Sequence, residues 1–311
     1  MSDLRLNQLK ALLAAVFWGA SFVATKAAVQ EISPITLIVL RFALGVLVLL
    51  FAVVRMRVLK WVGARDFVLL AILGAIAIFI HQALQATGLM LTTASSMSWL
   101  VALQPAFTAI LALFILHESF NLGKIFGLVI AFVGAIVVVT RGAPTADTLH
   151  LPSTTGDLLA VASALNWTIF TVASKPLLRR MQPTLMMAYV MFIGWALTLP
   201  FFVVTQGWNQ VSHLSMNGWL AVIYLGIFCS GIAYIFWYDA LAHIDASKVS
   251  AFIYVEPIVT VVVAGLLLGE ELSPMSFIGG LAILLGVYLV NRSGARLVAA
   301  REPSGVSIAS D

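Results

Sequence analysis

Long apolar runs, separated by short polar segments, fill the chain to about residue 291. Each run covers about 20 residues, the length that a helix needs to cross ~30 Å of hydrocarbon. No run shows the ten-residue alternation of apolar and polar positions that a membrane β-barrel requires. The pattern therefore predicts ten membrane-spanning helices, at residues 9–29, 33–54, 66–88, 94–116, 123–140, 156–175, 183–205, 217–239, 246–268 and 274–291.

The composition also indicates a membrane protein. Of the 311 residues, 62% are hydrophobic and 10% are charged, whereas a soluble domain carries about 25% charged residues. A soluble protein could not cover so much apolar surface with polar groups. The run at 9–29 exceeds the ~7–15-residue apolar core of a cleavable signal, so we interpret it as a retained helix. The predicted fold class is all-α integral membrane, with a disordered cytoplasmic tail at 292–311.

Basic residues lie mainly in alternate connections between the apolar runs. With the N-terminus placed in the cytoplasm, Arg141 falls outside, Lys26 and Arg41 lie within or beside helices, and the other fourteen of the 17 basic residues fall inside. Because short cytoplasmic loops carry such an excess, both termini are predicted to be cytoplasmic. The basic residues form no patch or stripe, so the net charge of +4 does not indicate nucleic-acid binding.

The two halves of the chain resemble each other. Two sets of identical residues recur at fixed offsets, 149 positions for the first set and 152 for the second. The first set consists of Trp18/Trp167, Ala24/Ala173, Lys26/Lys175 and Pro34/Pro183. The second set consists of Ala94/Ala246, Ser95/Ser247, Ser98/Ser250, Pro105/Pro257, Leu116/Leu268, Glu118/Glu270, Gly127/Gly279 and Gly134/Gly286.

Five helices per half is an odd number, so the second half enters the membrane from the opposite side. The sequence thus predicts two inverted five-helix repeats, at 9–140 and 156–291. This plan is typical of secondary transporters. Because the two halves are related, the conformation open to one side of the membrane and the conformation open to the other side can have similar free energies. A membrane channel and a non-transporting helical scaffold are the alternatives from other functional classes.

The repeated motifs resemble those of a known family. They are Trp18-Gly19, Gln104-Pro105 and Leu116-His117-Glu118-Ser119 in the first half, and Glu256-Pro257 and Leu268-Gly269-Glu270-Glu271 in the second. With the paired glycines, they look like the drug/metabolite transporter superfamily, specifically the EamA-type exporters. The resemblance implies ten helices around a central cavity, and export of amino acids or related small metabolites across the bacterial inner membrane. Sugars, nucleosides and cationic drugs are alternative cargoes within the superfamily.

Two prolines next to polar residues mark the candidate binding region. Glu256 and Gln104 each lie about ten residues into a predicted helix, near the membrane midplane. Pro257 and Pro105 interrupt those helices and free backbone carbonyls, which membrane proteins tolerate where they line a cavity. A charged Glu256 facing lipid would be costly, so it should face the interior. There it could bind a substrate ammonium group, carry a proton in exchange, or pack helices through hydrogen bonds.

Further polar and aromatic residues could line the same region. Arg41 lies about 12 Å into its helix, where its partner would be a substrate carboxylate, Glu31 or a backbone carbonyl. Tryptophan prefers the membrane interface, so its presence near the midplane suggests either cavity walls or core packing. The remaining substrate-binding candidates are Trp18, Trp167, His81, Gln85 and Tyr254, with Gln82, Trp99, Tyr234 and Trp237 as weaker ones.

Other chemistries find little support in the sequence. No Gly-x4-Gly-Lys-Ser/Thr motif for nucleotide phosphates occurs, and Ser21 beside His81 is a weak basis for a nucleophile and its base. The five histidines are scattered along the chain, which argues against a metal site. We therefore expect no enzymatic activity and no cofactor, and we expect a small-molecule substrate and the lipid bilayer as partners.

Overall fold

A computed structural model describes residues 3–116, 122–142, 152–243, 249 and 251–301. Every regular element in these ranges is helical. The helices are α1 (Asp3–Ala28), α2 (Pro34–Arg55), α3 (Ala64–Leu91), α4 (Ala94–Val101), α5 (Gln104–Leu116), α6 (Leu122–Thr140), α7 (Pro152–Leu178), α8 (Pro183–Val204), α9 (Trp208–Val211), α10 (216–243), α11 (Val255–Leu268) and α12 (Pro274–Arg301).

Seven helices in the described ranges are long and apolar enough to cross a membrane, namely α1, α2, α3, α6, α7, α8 and α10. Two shorter apolar stretches, Phe252–Leu268 and Pro274–Leu289, cover α11 and the first part of α12. Exposed Leu, Ile, Val and Phe side chains are numerous along these helices, as expected where the surrounding solvent is hydrocarbon. The chain is therefore a multi-pass membrane protein.

Equivalent residues begin the second helix of each half. Ser33 accepts a hydrogen bond from the backbone N–H of Thr36 at 3.3 Å, and Pro34 follows it as the first residue of α2. Gln182 accepts one from the N–H of Leu185 at 2.8 Å, and Pro183 begins α8. These caps satisfy N–H groups that a helix start leaves free, and proline has no N–H to satisfy there.

The prolines near the midplane coincide with breaks in the helices. The predicted helix at 94–116 is divided into α4 and α5, with Ala102 and Leu103 in a turn between them. In the second half a 3₁₀ segment, Ala251–Tyr254, precedes α11. Helices α3 and α10 also contain π-helical segments, Ala75–Ile80 and Tyr224–Ile232, immediately before the residues that enter the candidate site. Such segments are frequent at functional sites.

Glycines bring α6 and α12 into backbone contact. A Cβ atom added at Gly134 would lie 2.6 Å from the carbonyl oxygen of Gly279, and one added at Gly279 would lie 2.7 Å from that of Gly134. Neither position has room for a side chain, and small residues allow this close approach in membranes. The last helices of the two halves are thereby joined along their length.

The described C-terminal residues differ from the predicted disordered tail at 292–311. Helix α12 continues to Arg301, because residues such as Ala295, Arg296 and Leu297 favour a helix. The polarity of this segment suggested disorder, but polarity ends a membrane span without ending the helix. Residues 302–311 lie outside the described residues, as do His117, Glu118 and Ser119 of the repeated motif.

Candidate functional site

A central cavity lies between α1, α2, α3, α7, α10 and the broken helices α4–α5 and α11. Its empty space, including the part that opens outward, is about 580 Å³. Seven of the eight predicted substrate-binding residues line it, namely Trp18, Arg41, His81, Gln85, Gln104, Trp167 and Glu256. The other lining residues are Ser21, Phe22, Gln82, Val101, Tyr234, Trp237 and Ile253.

Tyr254, the eighth predicted residue, does not line this cavity. It is half-buried at the end of the 3₁₀ segment and packs against an apolar cluster that includes Val101, Ala106 and Ala264. Trp99, a weaker candidate, is fully buried in the same cluster. Sequence position gives the depth of a residue in the membrane, but not the face on which it lies at a helix break. Both aromatic side chains are therefore placed in the protein core.

Arg41 is buried, with only 4% of its surface exposed. Its Nε donates a hydrogen bond to the hydroxyl of Ser230 and a terminal nitrogen donates to Oε1 of Gln82, each at 3.1 Å. Among the described residues no carboxylate forms an ion pair with it. These two bonds use two of the five N–H donors of the guanidinium group. The remaining donors leave Arg41 able to bind an anionic group in the cavity.

Glu31 is not the partner of Arg41, which was one of the alternatives open from the sequence. Its carboxylate accepts hydrogen bonds from the backbone N–H and the hydroxyl of Ser215, both at 2.7 Å. Ser215 caps the start of α10, and a carboxylate is favourable at the N-terminus of a helix. Glu31 thus fixes the connection before α10 and is not among the residues that line the cavity.

Glu256 is the second residue of α11 and is 8% exposed. Its backbone carbonyl accepts a hydrogen bond from the hydroxyl of Thr260 at 2.8 Å, and that hydroxyl also donates to the carbonyl of Gly19 at 2.7 Å. A Cβ atom on Gly19 would lie 2.8 Å from the Glu256 carbonyl, so only glycine lets α1 pass this close. No described residue hydrogen-bonds the Glu256 carboxylate, which faces the cavity without a protein counter-charge.

Aromatic rings form a continuous wall of the cavity. The ring of Trp18 lies 5.4 Å from that of Tyr234 and 5.2 Å from that of Trp237, centroid to centroid. The ring of Trp167 lies 4.9 Å from His81 and 6.4 Å from Tyr234. These are favourable distances for aromatic pairs. The rings therefore support one another and present faces and edges to a bound molecule.

Hydrogen bonds fix two of these rings. The indole N–H of Trp18 donates to the backbone carbonyl of Cys229 at 3.0 Å. Nδ1 of His81 lies 3.1 Å from the carbonyl oxygen of Ser163, so Nδ1 carries the proton and Nε2 is left as an acceptor. Trp18 therefore has little freedom to rotate, and His81 presents a fixed acceptor.

Ten of the fourteen lining residues fall into five pairs with the sequence offsets found above. Trp18 and Trp167 are 149 positions apart. The pairs at 152 positions are Gln82/Tyr234, Gln85/Trp237, Val101/Ile253 and Gln104/Glu256. The stronger candidates from the sequence omitted Gln82, Tyr234 and Trp237, and applying the second offset to Gln82 and Gln85 would have identified Tyr234 and Trp237. Three of the five pairs carry a glutamine in the first half, and their second-half members are Tyr234, Trp237 and Glu256.

Polar contacts join helices at opposite ends of the molecule. Near the start of α1, Lys10 forms an ion pair with Asp239 near the end of α10. At the other end, Lys26 donates to the backbone carbonyl of Thr92, and the hydroxyl of Thr92 donates to Asp157 near the start of α7. We call these contacts the α1–α10 latch and the α3–α7 latch. The first is partly exposed, whereas Thr92 and Asp157 are buried.

Comparison with known proteins identifies relatives over nearly the whole chain. Residues 6–140 and 154–292 each match the EamA-like transporter family. An uncharacterized transporter of Archaeoglobus fulgidus is 28% identical over 89% of this chain and 94% of its own length. A probable terminal-alkyne amino-acid exporter of Streptantibioticus cattleyicolor is also 28% identical, over 90% of this chain and 92% of its own.

A solved crystal structure has the same fold. It matches with a TM-score of 0.64 and 20% sequence identity, covering 96% of this chain and 99% of that chain.

Proposed function

Because the chain belongs to the EamA-like transporter family, we propose that it is a secondary active transporter exporting amino acids or related small metabolites by alternating access. The observation that carries the proposal is a buried arginine and a buried glutamate in one cavity. Arg41 and Glu256 both line it, and neither has an ionic partner among the described residues. A buried charge without a partner is costly, and a ligand of complementary charge would offset that cost.

A zwitterionic amino acid supplies both missing counter-charges. Its carboxylate fits the donors of Arg41, since guanidinium and carboxylate form strong charge-assisted hydrogen bonds. Its ammonium group fits the carboxylate of Glu256. The ring faces of Trp18 and Trp167 would then contact the amino-acid side chain. The naming of one relative as a probable amino-acid exporter supports the same class of cargo.

The inverted repeat predicted from the sequence would support alternating access. If α1–α3 correspond to α7, α8 and α10, and α6 to α12, the helix contacts occur in matched pairs. The contact of α1 with α10 has its counterpart in the contact of α7 with α3. Likewise, the contact of α2 with α10 corresponds to that of α8 with α3. The contact of α1 with α11 corresponds to the contacts of α7 with α4 and α5. The match extends to atoms. A Cβ atom on Gly74 would lie 2.8 Å from the carbonyl oxygen of Val190, and one on Gly226 would lie 2.9 Å from that of Arg41, at equivalent positions.

The two latches fit the same scheme. The α1–α10 latch and the α3–α7 latch join equivalent helix pairs at opposite ends of the cavity. With both termini in the cytoplasm of a bacterium, as the basic residues indicate, the α1–α10 latch lies on the cytoplasmic side of the inner membrane. Opening one latch while the other holds would expose the cavity to one side at a time.

Export of cationic drugs is the second candidate. An unpartnered buried Glu256 beside Trp18, Trp167, Tyr234 and Trp237 could also bind an apolar cation through charge and cation–π contact. This alternative gives Arg41 no role in binding, which separates it from the first. Proton exchange through Glu256 is compatible with either cargo.

Transport in liposomes tests the proposal. The purified chain is reconstituted, and uptake of a labelled amino acid is challenged with unlabelled amino acids, their methyl esters, sugars, nucleosides and an apolar organic cation. We expect saturable uptake that free amino acids inhibit more strongly than methyl esters, because the esters lack the carboxylate. Inhibition by the organic cation alone would favour the second candidate, and uptake that never saturates would indicate a channel.

A further inference from the structure

A second cavity, outside the candidate site, is an apolar groove between α2 and α8 with about 800 Å³ of empty space. Its floor is formed by buried side chains of both helices, including Val53, Leu185 and Ala188. Leu50 and Phe192, which are 39% and 46% exposed, form its sides. Leu50 lies five residues before the end of α2, so the groove extends roughly 7.5 Å from the helix end into the hydrocarbon layer.

The mouth of this groove is held in place by the connection between α2 and α3. The hydroxyl of Tyr189, on α8, donates a hydrogen bond to the backbone carbonyl of Lys60 at 2.8 Å. This bond places Lys60 and Trp61 at the rim, where Trp61 is 99% exposed. A fully exposed indole at the end of an apolar groove is unfavourable in water and common at the headgroup level of a bilayer. The rim therefore lies at the membrane interface.

Charge at the rim is strongly basic. Arg57 lies on the same connection as Lys60, and Arg55 and Arg65 lie at the helix ends on either side of it; all of them are exposed. The nearby Asp66 is already bound to Arg180 at 2.7 Å. A ligand filling the groove from the bilayer would thus bring its polar end into a positively charged environment, which favours an anionic headgroup over a zwitterionic one.

The equivalent place in the second half is filled by the protein itself. The residues 149 positions after Val53 and Leu59 are Phe202 and Trp208, whose ring centroids lie 6.1 Å apart. Gln210, equivalent to Trp61, turns back to accept a hydrogen bond from the backbone N–H of Ser33 at 2.8 Å. The chain closes this surface in one half with its own aromatic side chains and leaves it open in the half that carries the basic rim.

From these observations we propose that the α2–α8 groove binds an anionic phospholipid, with an acyl chain between Leu50 and Phe192 and the phosphate near Lys60. The proposed orientation of the chain in the membrane decides only the leaflet from which the lipid binds, which is the cytoplasmic one. Lipid here would fix α2, the helix that carries Arg41, against α8. The site is separate from the central cavity and needs no cargo for its occupancy.

Native mass spectrometry of the purified full chain tests the proposal without a transport assay. The protein is titrated with phosphatidylglycerol and with phosphatidylcholine of identical acyl chains. We expect tighter binding of phosphatidylglycerol, a loss of about fivefold in that affinity for Lys60→Gln, and no loss for Arg5→Gln, which removes an exposed charge outside the groove. Leu59→Trp, which copies Trp208, should weaken binding of both lipids.

Equal affinity of the wild-type chain for the two lipids would overturn the proposal, as would equal behaviour of Lys60→Gln and Arg5→Gln. Retained binding in Leu59→Trp would place the lipid elsewhere. A dimer that Leu59→Trp dissociates would show a second copy of the chain as the occupant. Because lipid binding is read as mass, failure of transport would leave this result intact, and failure of lipid binding would leave the transport proposal untouched.

Discussion

Replacing Glu256 by glutamine should remove the binding site for the substrate ammonium group while leaving the protein folded. The two side chains have nearly the same shape, and no described residue hydrogen-bonds the carboxylate. The substitution therefore costs few contacts within the protein. Glu271→Gln, at an exposed carboxylate of the α11–α12 connection, is a matched control.

The size of the effect follows from the burial of the site. A hydrogen bond to a charged group contributes about 1.5–3 kcal/mol, and Glu256 is only 8% exposed, so water competes weakly for it. At 1.4 kcal/mol per factor of ten, the loss corresponds to a rise of roughly 10- to 100-fold in the apparent KM for an amino acid. The melting temperature in detergent should be the same as that of Glu271→Gln.

Substrate analogues make the test specific. An N-acetyl amino acid lacks the ammonium group, so its inhibition of transport should be equally weak for the wild type and for Glu256→Gln. A methyl ester lacks the carboxylate, so Arg41→Gln should weaken the inhibition of transport by the free amino acid and leave the inhibition by the ester unchanged. An unchanged KM for the free amino acid in Glu256→Gln would refute the reasoning, because the ammonium group would then bind elsewhere.

Two further predictions concern packing and gating. Gly134→Ala should lower the melting temperature, since overpacking against the α12 backbone costs about 1–3 kcal/mol. Gly265→Ala, whose added Cβ would have no atom nearer than 3.9 Å, should not lower it. Thr92→Val breaks the α3–α7 latch and Lys10→Gln breaks the α1–α10 latch. In a parent carrying Cys229→Ala and Ser21→Cys, the introduced thiol is the only one. An impermeant thiol reagent outside the cell should label the Thr92→Val variant of this parent faster, and the Lys10→Gln variant more slowly, than the parent itself. Equal rates would argue against the latches.

The positions of the key residues along their helices could be predicted from the sequence. Ten residues from a helix end is about 15 Å in any straight helix, so Gln104 and Glu256 had to lie near each other's level. The neighbouring prolines indicated where the backbone would break, and the structure has helix breaks there. Because a bilayer allows few backbone arrangements, counting along the chain was sufficient to gather most of the residues that line the cavity.

The direction of side chains could not be predicted in the same way. Tyr254 ends a 3₁₀ segment, whose three residues per turn rotate it away from the direction expected for an α-helix. The bonds from Arg41 to Ser230 and Gln82 join three helices, so they depend on how α2, α3 and α10 pack together. The groove beside Lys60 depends on the fold of a connection that carries no regular pattern. These features arise from packing, which periodicity does not encode.

Counterflow in proteoliposomes tests the central claim most directly. Vesicles containing the purified chain are loaded with an unlabelled amino acid, and a trace of the same labelled amino acid is added outside without any ion gradient. A carrier that exposes one site alternately to each side predicts transient accumulation of label above its outside concentration, and this accumulation should be strongly reduced in Glu256→Gln. Label that only equilibrates in the wild type, at a rate that rises linearly with concentration, would contradict the account.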